Sequence, residues 1–384
     1  MRLGDVIDFN PTEKLEKNTY AKKIGMDKLS PFYKYIDSFE YEKYSGGAKF
    51  RNGDTIVARI TPCLENGKTA YVDLLDDGEI AFGSTEFIVM RNRKNVTIPE
   101  YVYYLSISPK FREKAISLMT GTSGRQRVQL DPLKEEEFDI SSIHDQIKMV
   151  KILSAIDEKI KLNNKINNNL HDLCNNLYFK LVSQLNDTNS SVESIKNVAK
   201  CVLGGTPSRT KKEYWNGSIN WINSGEINKF RIIKASEKIT ELGLNKSSTT
   251  LLPRGTTVLA ITGATLGQVS RLEIDSCANQ SVIGIITNKK ELNNYMYLSI
   301  LNSINDLVLK QTGGAQQHIN KNDVETHEII VPSTELISQF DEIIRPLFDQ
   351  ISVNCFEINK LEQLRDTLLP KLMNGEIDLD NIEI

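Results

Sequence analysis

The strongest constraint on this chain is that it is one sequence written twice. Met149, Leu153, Ile156, Ile160, Asn163, Asn167, Leu170, Cys174, Leu177 and Leu181 recur at steps of three and four. The same spacing returns 191 residues later at Phe340, Ile344, Leu347, Ile351, Asn354, Ile358, Leu361, Arg365, Leu368 and Leu372. The segments before these stretches repeat as well. Residues 2–7 resemble 194–199, residues 52–58 resemble 254–260, and residues 120–128 resemble 312–319 with one position deleted. A long internal period fixes architecture ahead of any local reading. The expected plan is lobe, long helix, lobe, long helix, with boundaries at 1–141, 142–189, 190–333 and 334–384.

The heptad positions predict helices over about 142–185 and 334–374, with a seam formed by Leu153, Ile156, Ile160, Asn163, Leu170 and Leu177 on one side. Ile344, Leu347, Ile351, Asn354, Leu361 and Leu368 form the other. A seam of about 50 Å needs a cover of matching length, and the second helix is that cover. Because the chain returns through a lobe, the pair is expected to be an antiparallel coiled coil in a pseudo-twofold molecule with neighbouring termini. Asn163, Asn167 and Asn354 on the seam point to register setting. Pro346 and Pro370 are positions where the second helix could kink.

Each lobe reads as α+β, with a mixed, mostly antiparallel sheet plus short helices. In lobe one, strands are expected around 55–60 and 81–90, helices begin at Pro99 and Pro109, and residues 121–124 form a loop. Lobe two repeats this order, with strands around 256–262 and 282–287 and a helix near 294–310. Asn10-Pro11-Thr12 reads as a helix-starting turn.

Composition narrows the function classes. The five cysteines are scattered without a C-x-x-C, which predicts reduced thiols, and the four histidines never approach metal-ligand spacing, so no metal is expected. No catalytic set is suggested. Gly263-Ala264-Thr265-Leu266-Gly267 lacks the length and the lysine of a phosphate loop and reads as a tight turn. No apolar run reaches membrane-span length and the first residues carry no leader pattern, so a cytoplasmic, prokaryotic protein without membrane contact is expected. Net charge is −3 overall, but residues 190–330 carry +4 and residues 331–384 carry −7. Tight DNA binders are usually more basic, so a DNA-binding reading needs charge from a partner.

The string Gly204-Gly205-Thr206-Pro207-Ser208, Trp215, Trp221, Asn223-Ser224-Gly225-Glu226, Asn279-Gln280 and 313–319 resembles the target-recognition domain of the specificity subunits of type I restriction-modification systems. Gln146-Ile147, Ile156-Asp157-Glu158-Lys159-Ile160 and Leu368-Leu369-Pro370-Lys371-Leu372 resemble that family's central and distal helices. Lobe one departs most, lacking GGTPS and the paired tryptophans; its match rests on Thr61-Pro62, Ser84-Thr85-Glu86 and residues 121–127. The resemblance implies a non-catalytic, bipartite reader of double-stranded DNA. Each lobe would read half of an asymmetric site, and the helices would dock two modification (methyltransferase) subunits. Those use S-adenosylmethionine to methylate adenine N6. Restriction subunits, using ATP and Mg, complete the complex; this chain holds no cofactor itself.

Base reading calls for side chains with paired donors or acceptors on loops that can approach a groove. In lobe one these are Arg125, Gln126 and Arg127, with Thr122 and Ser123 for phosphates, and less strongly Tyr33, Lys34 and Tyr35. In lobe two they are Ser208, Arg209, Thr210, Lys211 and Lys212, with Gln316, Gln317 and His318. Trp215 and Trp221 read as anchoring aromatics. The competing reading is a two-lobed protein-binding scaffold without nucleic acid; a single-chain methyltransferase is disfavoured because the cofactor and catalytic motifs are missing.

Overall fold

In the computed structural model, residues 1–309 and 318–379 are described, and they fall into two compact units. One comprises Met1–Leu162 with Asn359–Ile384, the other Asn163–Ile358. The division passes through both long helices.

The first unit is built on a four-stranded antiparallel sheet in the order Ile7–Phe9, Phe87–Asn92, Thr55–Ala58, Thr69–Tyr71. The central strand Thr55–Ala58 is buried at every position, as expected of a strand covered on both faces. A second sheet orders Glu40–Lys43, Tyr20–Ile24, Ala81–Gly83 and Lys49–Phe50, with Tyr20–Ile24 and Ala81–Gly83 parallel. Pro99–Ile107 is apolar around its whole circumference, and Tyr101, Val102, Tyr103, Tyr104 and Leu105 are all buried. Pro109–Ser117 follows at once. The turn between them is set by Ser108, extended before proline, whose hydroxyl accepts from the Phe111 amide at 3.4 Å.

The second unit repeats the sheet as Ala199–Leu203, Val282–Thr287, Thr257–Ala260, Val269–Arg271. The smaller sheet again contains one parallel pair, Trp215–Ile222 with Cys277–Ala278. One helix, Leu292–Leu309, stands where lobe one has two, because no Ser-Pro pair interrupts it. An antiparallel ribbon, Ser190–Ser194 with Glu328–Pro332, closes the base of the lobe.

The long helices are Ile143–Val182 and Thr334–Met373, each of 40 residues. The second runs without interruption through Pro346 and Pro370. In the first unit Met149, Leu153, Leu369 and Leu372 share the lobe's core cluster, and Arg365 meets Asp157. In the second unit Asn163 donates to Glu357 at 2.8 Å and Asn354 to Asn167 at 2.9 Å. As one number rises the other falls, so the helices pair antiparallel. Asn163, Asn167 and Asn354 are all buried on the seam. Leu153, Ile156, Ile160, Ile344 and Ile351 are buried too, whereas Leu170, Leu177, Leu347, Leu361 and Leu368 are half-buried. Beside those positions Cys174, Tyr178, Phe348 and Leu369 are buried instead. The lobes pack onto the flanks of the seam, which widens the apolar stripe beyond a strict two-in-seven pattern.

Asn10-Pro11-Thr12 does not start a helix. Asn10 takes a left-handed φ of 49° and closes the strand Ile7–Phe9, its amide donating to Val89 O at 2.7 Å and its side chain accepting from Val89 N at 2.9 Å. An asparagine that satisfies its own backbone in this way favours a turn over a helix.

Candidate nucleic-acid interface

In lobe one, three segments converge where the strand Thr55–Ala58 ends. The Arg59 amide donates to Glu86 O at 2.9 Å, Val128 N donates to Arg59 O at 2.9 Å, and Thr61 N donates to Gln126 O at 3.0 Å. The turn at Ser84-Thr85-Glu86 is held by Ser84 Oγ, which accepts from Glu86 N at 3.1 Å. Asn10 pairs with Val89 on the adjoining strand.

Lobe two reproduces these bonds with different residues. Ile261 N donates to Ser281 O at 2.9 Å and Ile319 N donates to Ile261 O at 3.0 Å. Asn279 Oδ1 accepts from Ser281 N at 3.0 Å, and Gly204 N donates to Val282 O at 2.9 Å. By sheet register Asn10 stands at the position of Val202 and Thr12 at that of Gly204, so the first strand of lobe one turns away two residues earlier than its counterpart in lobe two. Gly204 is there by necessity: a Cβ would stand 2.1 Å from Asn279 O.

Upon this shared backbone sit the candidate readers. Thr122, Ser123 and Arg125 are exposed at the tip of a hairpin whose strands are Met119–Thr120 and Arg127–Val128. Gln126 is half-buried. Arg127 is exposed, yet its guanidinium grips Glu86, with Nε 2.9 Å from Oε2 and Nη2 2.7 Å from Oε1. That hydrogen bond, set against partial burial, holds the Glu86 carboxyl below its ordinary range. Beside Glu86 lies a cleft of about 410 Å³ lined by Asn10, Thr12, Lys49, Arg59 and Thr85 among others. Arg59 donates Nη2 to Val128 O at 3.0 Å, and its Nε is buried without a hydrogen-bond partner.

In lobe two, Ser208, Arg209, Thr210, Lys211 and Lys212 are all exposed. Ser208 and Thr210 share a hydroxyl hydrogen bond at 2.9 Å, and Lys211 Nζ donates to Tyr214 OH at 3.0 Å. Arg209 forms a fork with Glu237 and lies 3.7 Å over the Trp215 ring. The two tryptophans anchor this loop: Trp221, 2% exposed, donates to Gly205 O at 3.1 Å, and Trp215 donates to Ser208 O at 3.2 Å. His318 is exposed and bridges to Thr262, as Arg127 bridges to Ile60. Gln316 and Gln317 lie outside the described residues.

Lys34 is not a reader. Its side chain is 2% exposed, its ammonium donates to Glu100 at 2.7 Å, and the rings of Tyr35, Tyr71, Tyr103 and Tyr104 surround it. The weaker expectation that Lys34 contacts DNA does not hold, because the cation is a structural pin inside the lobe. Sequence reasoning also missed the carboxylates that orient the arginines. Glu86 lies 41 residues from Arg127 and Glu237 lies 28 from Arg209, separations with no local signature.

Among the described residues no group of histidines, cysteines and carboxylates could hold a metal ion, and no helix is long and apolar enough to cross a membrane. The arrangement is two surfaces of matched backbone and unmatched side chains, rich in amide, hydroxyl and guanidinium groups.

Comparison with known proteins agrees with this division. The family model described as the type I restriction modification DNA specificity domain matches residues 1–172 and 188–364. The type I restriction enzyme HindI specificity subunit of Haemophilus influenzae is 23% identical, over 98% of this chain and 98% of its own. The MjaIX specificity subunit of Methanocaldococcus jannaschii is also 23% identical, over 75% of this chain and 71% of its own. A crystal structure of the type I restriction-modification S subunit from M. genitalium shares the fold, with a TM-score of 0.56 at 17% identity, covering 97% of this chain and 95% of that one. With its duplicated lobes, its paired helices and a family match over nearly its whole length, this chain belongs to the type I restriction-modification DNA specificity family.

Proposed function

We propose that the chain is the specificity subunit of a type I restriction-modification complex, in which each lobe reads one half of a split, asymmetric DNA site. The observation that carries this reading is the repeated strand-end surface. The backbone bonds at the strand end are common to both lobes, but Thr12, Glu86 and Arg127 of lobe one correspond to Gly204, Ser281 and His318 of lobe two. Like scaffolds with unlike donors and acceptors suit two different half-sites, since base edges are discriminated by donor and acceptor pattern.

The long helices set the gap between half-sites and dock two modification subunits, which bring S-adenosylmethionine and methylate adenine N6. Restriction subunits using ATP and Mg join through them. This chain contributes recognition and no chemistry. Its near-neutral charge is consistent with DNA affinity that depends on the modification subunits for phosphate neutralisation. Relatives carrying the name specificity subunit support the assignment.

The test is to co-express the chain with its modification subunit and map N6-methyladenine by single-molecule sequencing. A split, non-palindromic motif with a fixed gap is expected. A stable complex that leaves DNA unmethylated and unbound would replace this reading with the protein-binding scaffold.

A further inference from the structure

Arg127 differs from the other candidate readers of lobe one in being held at both its backbone and its side chain. Its strand pairs with Met119–Thr120, and it also bridges to Ile60 at the end of the central strand. Glu86, which grips its guanidinium, stands on a turn fixed by Ser84 and by the Arg59 amide. Both partners of the ion pair therefore rise from the rigid end of the sheet.

The way the guanidinium is gripped matters more than the pairing itself. Glu86 takes the side edge, with Nε 3.0 and 2.9 Å from its two oxygens and Nη2 2.7 Å from Oε1. Nη1 donates to Arg125 O in a bond that is long at 3.4 Å. A guanidinium presents five donors in one plane. With its side edge occupied, its end edge keeps an outward N–H on each of Nη1 and Nη2, and the side chain remains 44% exposed. Two parallel donors on a fixed plane match O6 and N7 of guanine in the major groove. They do not match a phosphate, because the Glu86 carboxylate cancels the charge and repels an anion. The neighbouring cleft, with Lys49 and Arg59, is better placed to meet the backbone.

Among the described residues lobe two has no equivalent clamp. Ser281 and His318 occupy the matching positions, and its clamped arginine, Arg209, pairs through both terminal nitrogens with Glu237. Among the described residues, whatever the clamp specifies therefore belongs to lobe one.

We propose that Glu86 is a positioning residue for specificity: by holding the side edge of Arg127, it presents the end edge to one guanine in the half-site read by lobe one. This rests on the DNA-reading function above. Glutamine in place of Glu86 removes the charge and turns a donor toward the guanidinium, releasing its plane without touching the core.

The test compares methylation motifs of the complex carrying wild-type chain, E86Q and R127K. Thermal melts of the three chains confirm equal folding. Under the proposal, both variants relax one G·C position in one half-site, with discrimination there falling about ten-fold, while the other half-site is unchanged. An E86Q motif identical to wild type, a uniform weakening at all positions, or a relaxed position that is not G·C would overturn it. A wild-type complex with no split motif would instead overturn the functional reading, so the two failures are told apart.

Discussion

Arg365 donates to Asp157 at 2.9 Å, and both side chains are essentially buried, at 3% and 2% exposure. The same carboxylate accepts from Tyr104 OH at 2.8 Å, so one acid ties both long helices to the aromatic helix of lobe one. Burial, the largest single influence, works against the charge on Arg365, but Asp157, Tyr103 and Asp366 together outweigh it and the guanidinium is held even more firmly protonated than usual. Removing Arg365 leaves a buried carboxylate with only the Tyr104 hydroxyl, and removing Asp157 leaves a buried guanidinium with only the exposed Asp366 carboxylate. R365M or D157N is expected to cost about 3–5 kcal/mol, whereas a paired apolar replacement recovers most of that loss. Urea unfolding of the single and double variants measures it, and additive losses in the double variant would count against the pair.

The amide pair Asn354 to Asn167 is the corresponding polar contact of the second unit. Gln350 donates to Asn354 Oδ1 at 2.7 Å, and Asn167 donates to Cys355 Sγ at 3.5 Å, so the network is closed on both sides. Replacing Asn354 alone by Leu is expected to destabilise by about 1–3 kcal/mol, the cost of a stranded buried amide. Replacing both by Leu should be close to neutral in a thermal melt but should broaden the spacing of methylated half-sites, since a buried Asn is a register device.

Burial pushes the thiols of Cys174 and Cys201 up to about 12 and that of Cys355 to about 11. The folded chain keeps protons that the unfolded chain releases from about pH 9. The folded state thus binds more protons across pH 9–12, and stability is expected to fall as pH rises through that window. Chemical denaturation at pH 8, 9.5 and 11 checks the direction. At pH 8 a thiol reagent should label half-buried Cys63 first and the buried cysteines only after denaturation.

Gly204→Ala is expected to damage lobe two selectively. The added methyl meets both Asn279 O and Ala278 O, which are backbone and cannot rotate away. Loss of one half-site's selectivity, with the other preserved, is the outcome to look for by methylation mapping. An unaffected motif would mean that the turn can open without consequence.

Much of the architecture was legible because repetition and periodicity are properties of sequence. The 3–4 spacing located both helices to within a few residues, and Asn163, Asn167 and Arg365 stood on the seam before any packing was known. Lobe two's GGTPS turn and its two tryptophans were legible for a different reason: Gly204 and Trp221 are tied to contacts that only those side chains allow. Lobe one was harder, because Asn10, in a left-handed conformation and bonded to Val89, turns the chain where lobe two continues its strand through Val202 and Leu203 to Gly204.

By itself the sequence determined the duplication, the long helices, their antiparallel seam and the family to which the chain belongs. Only the tertiary structure decided which cations are surface groups and which are pins. Arg127 and Lys34 look alike in a string of letters. One meets Glu86 at an exposed strand end, and the other is enclosed by four tyrosines. That difference depends on residues tens of positions away, brought near by sheet pairing and helix packing, and a local pattern carries no trace of them.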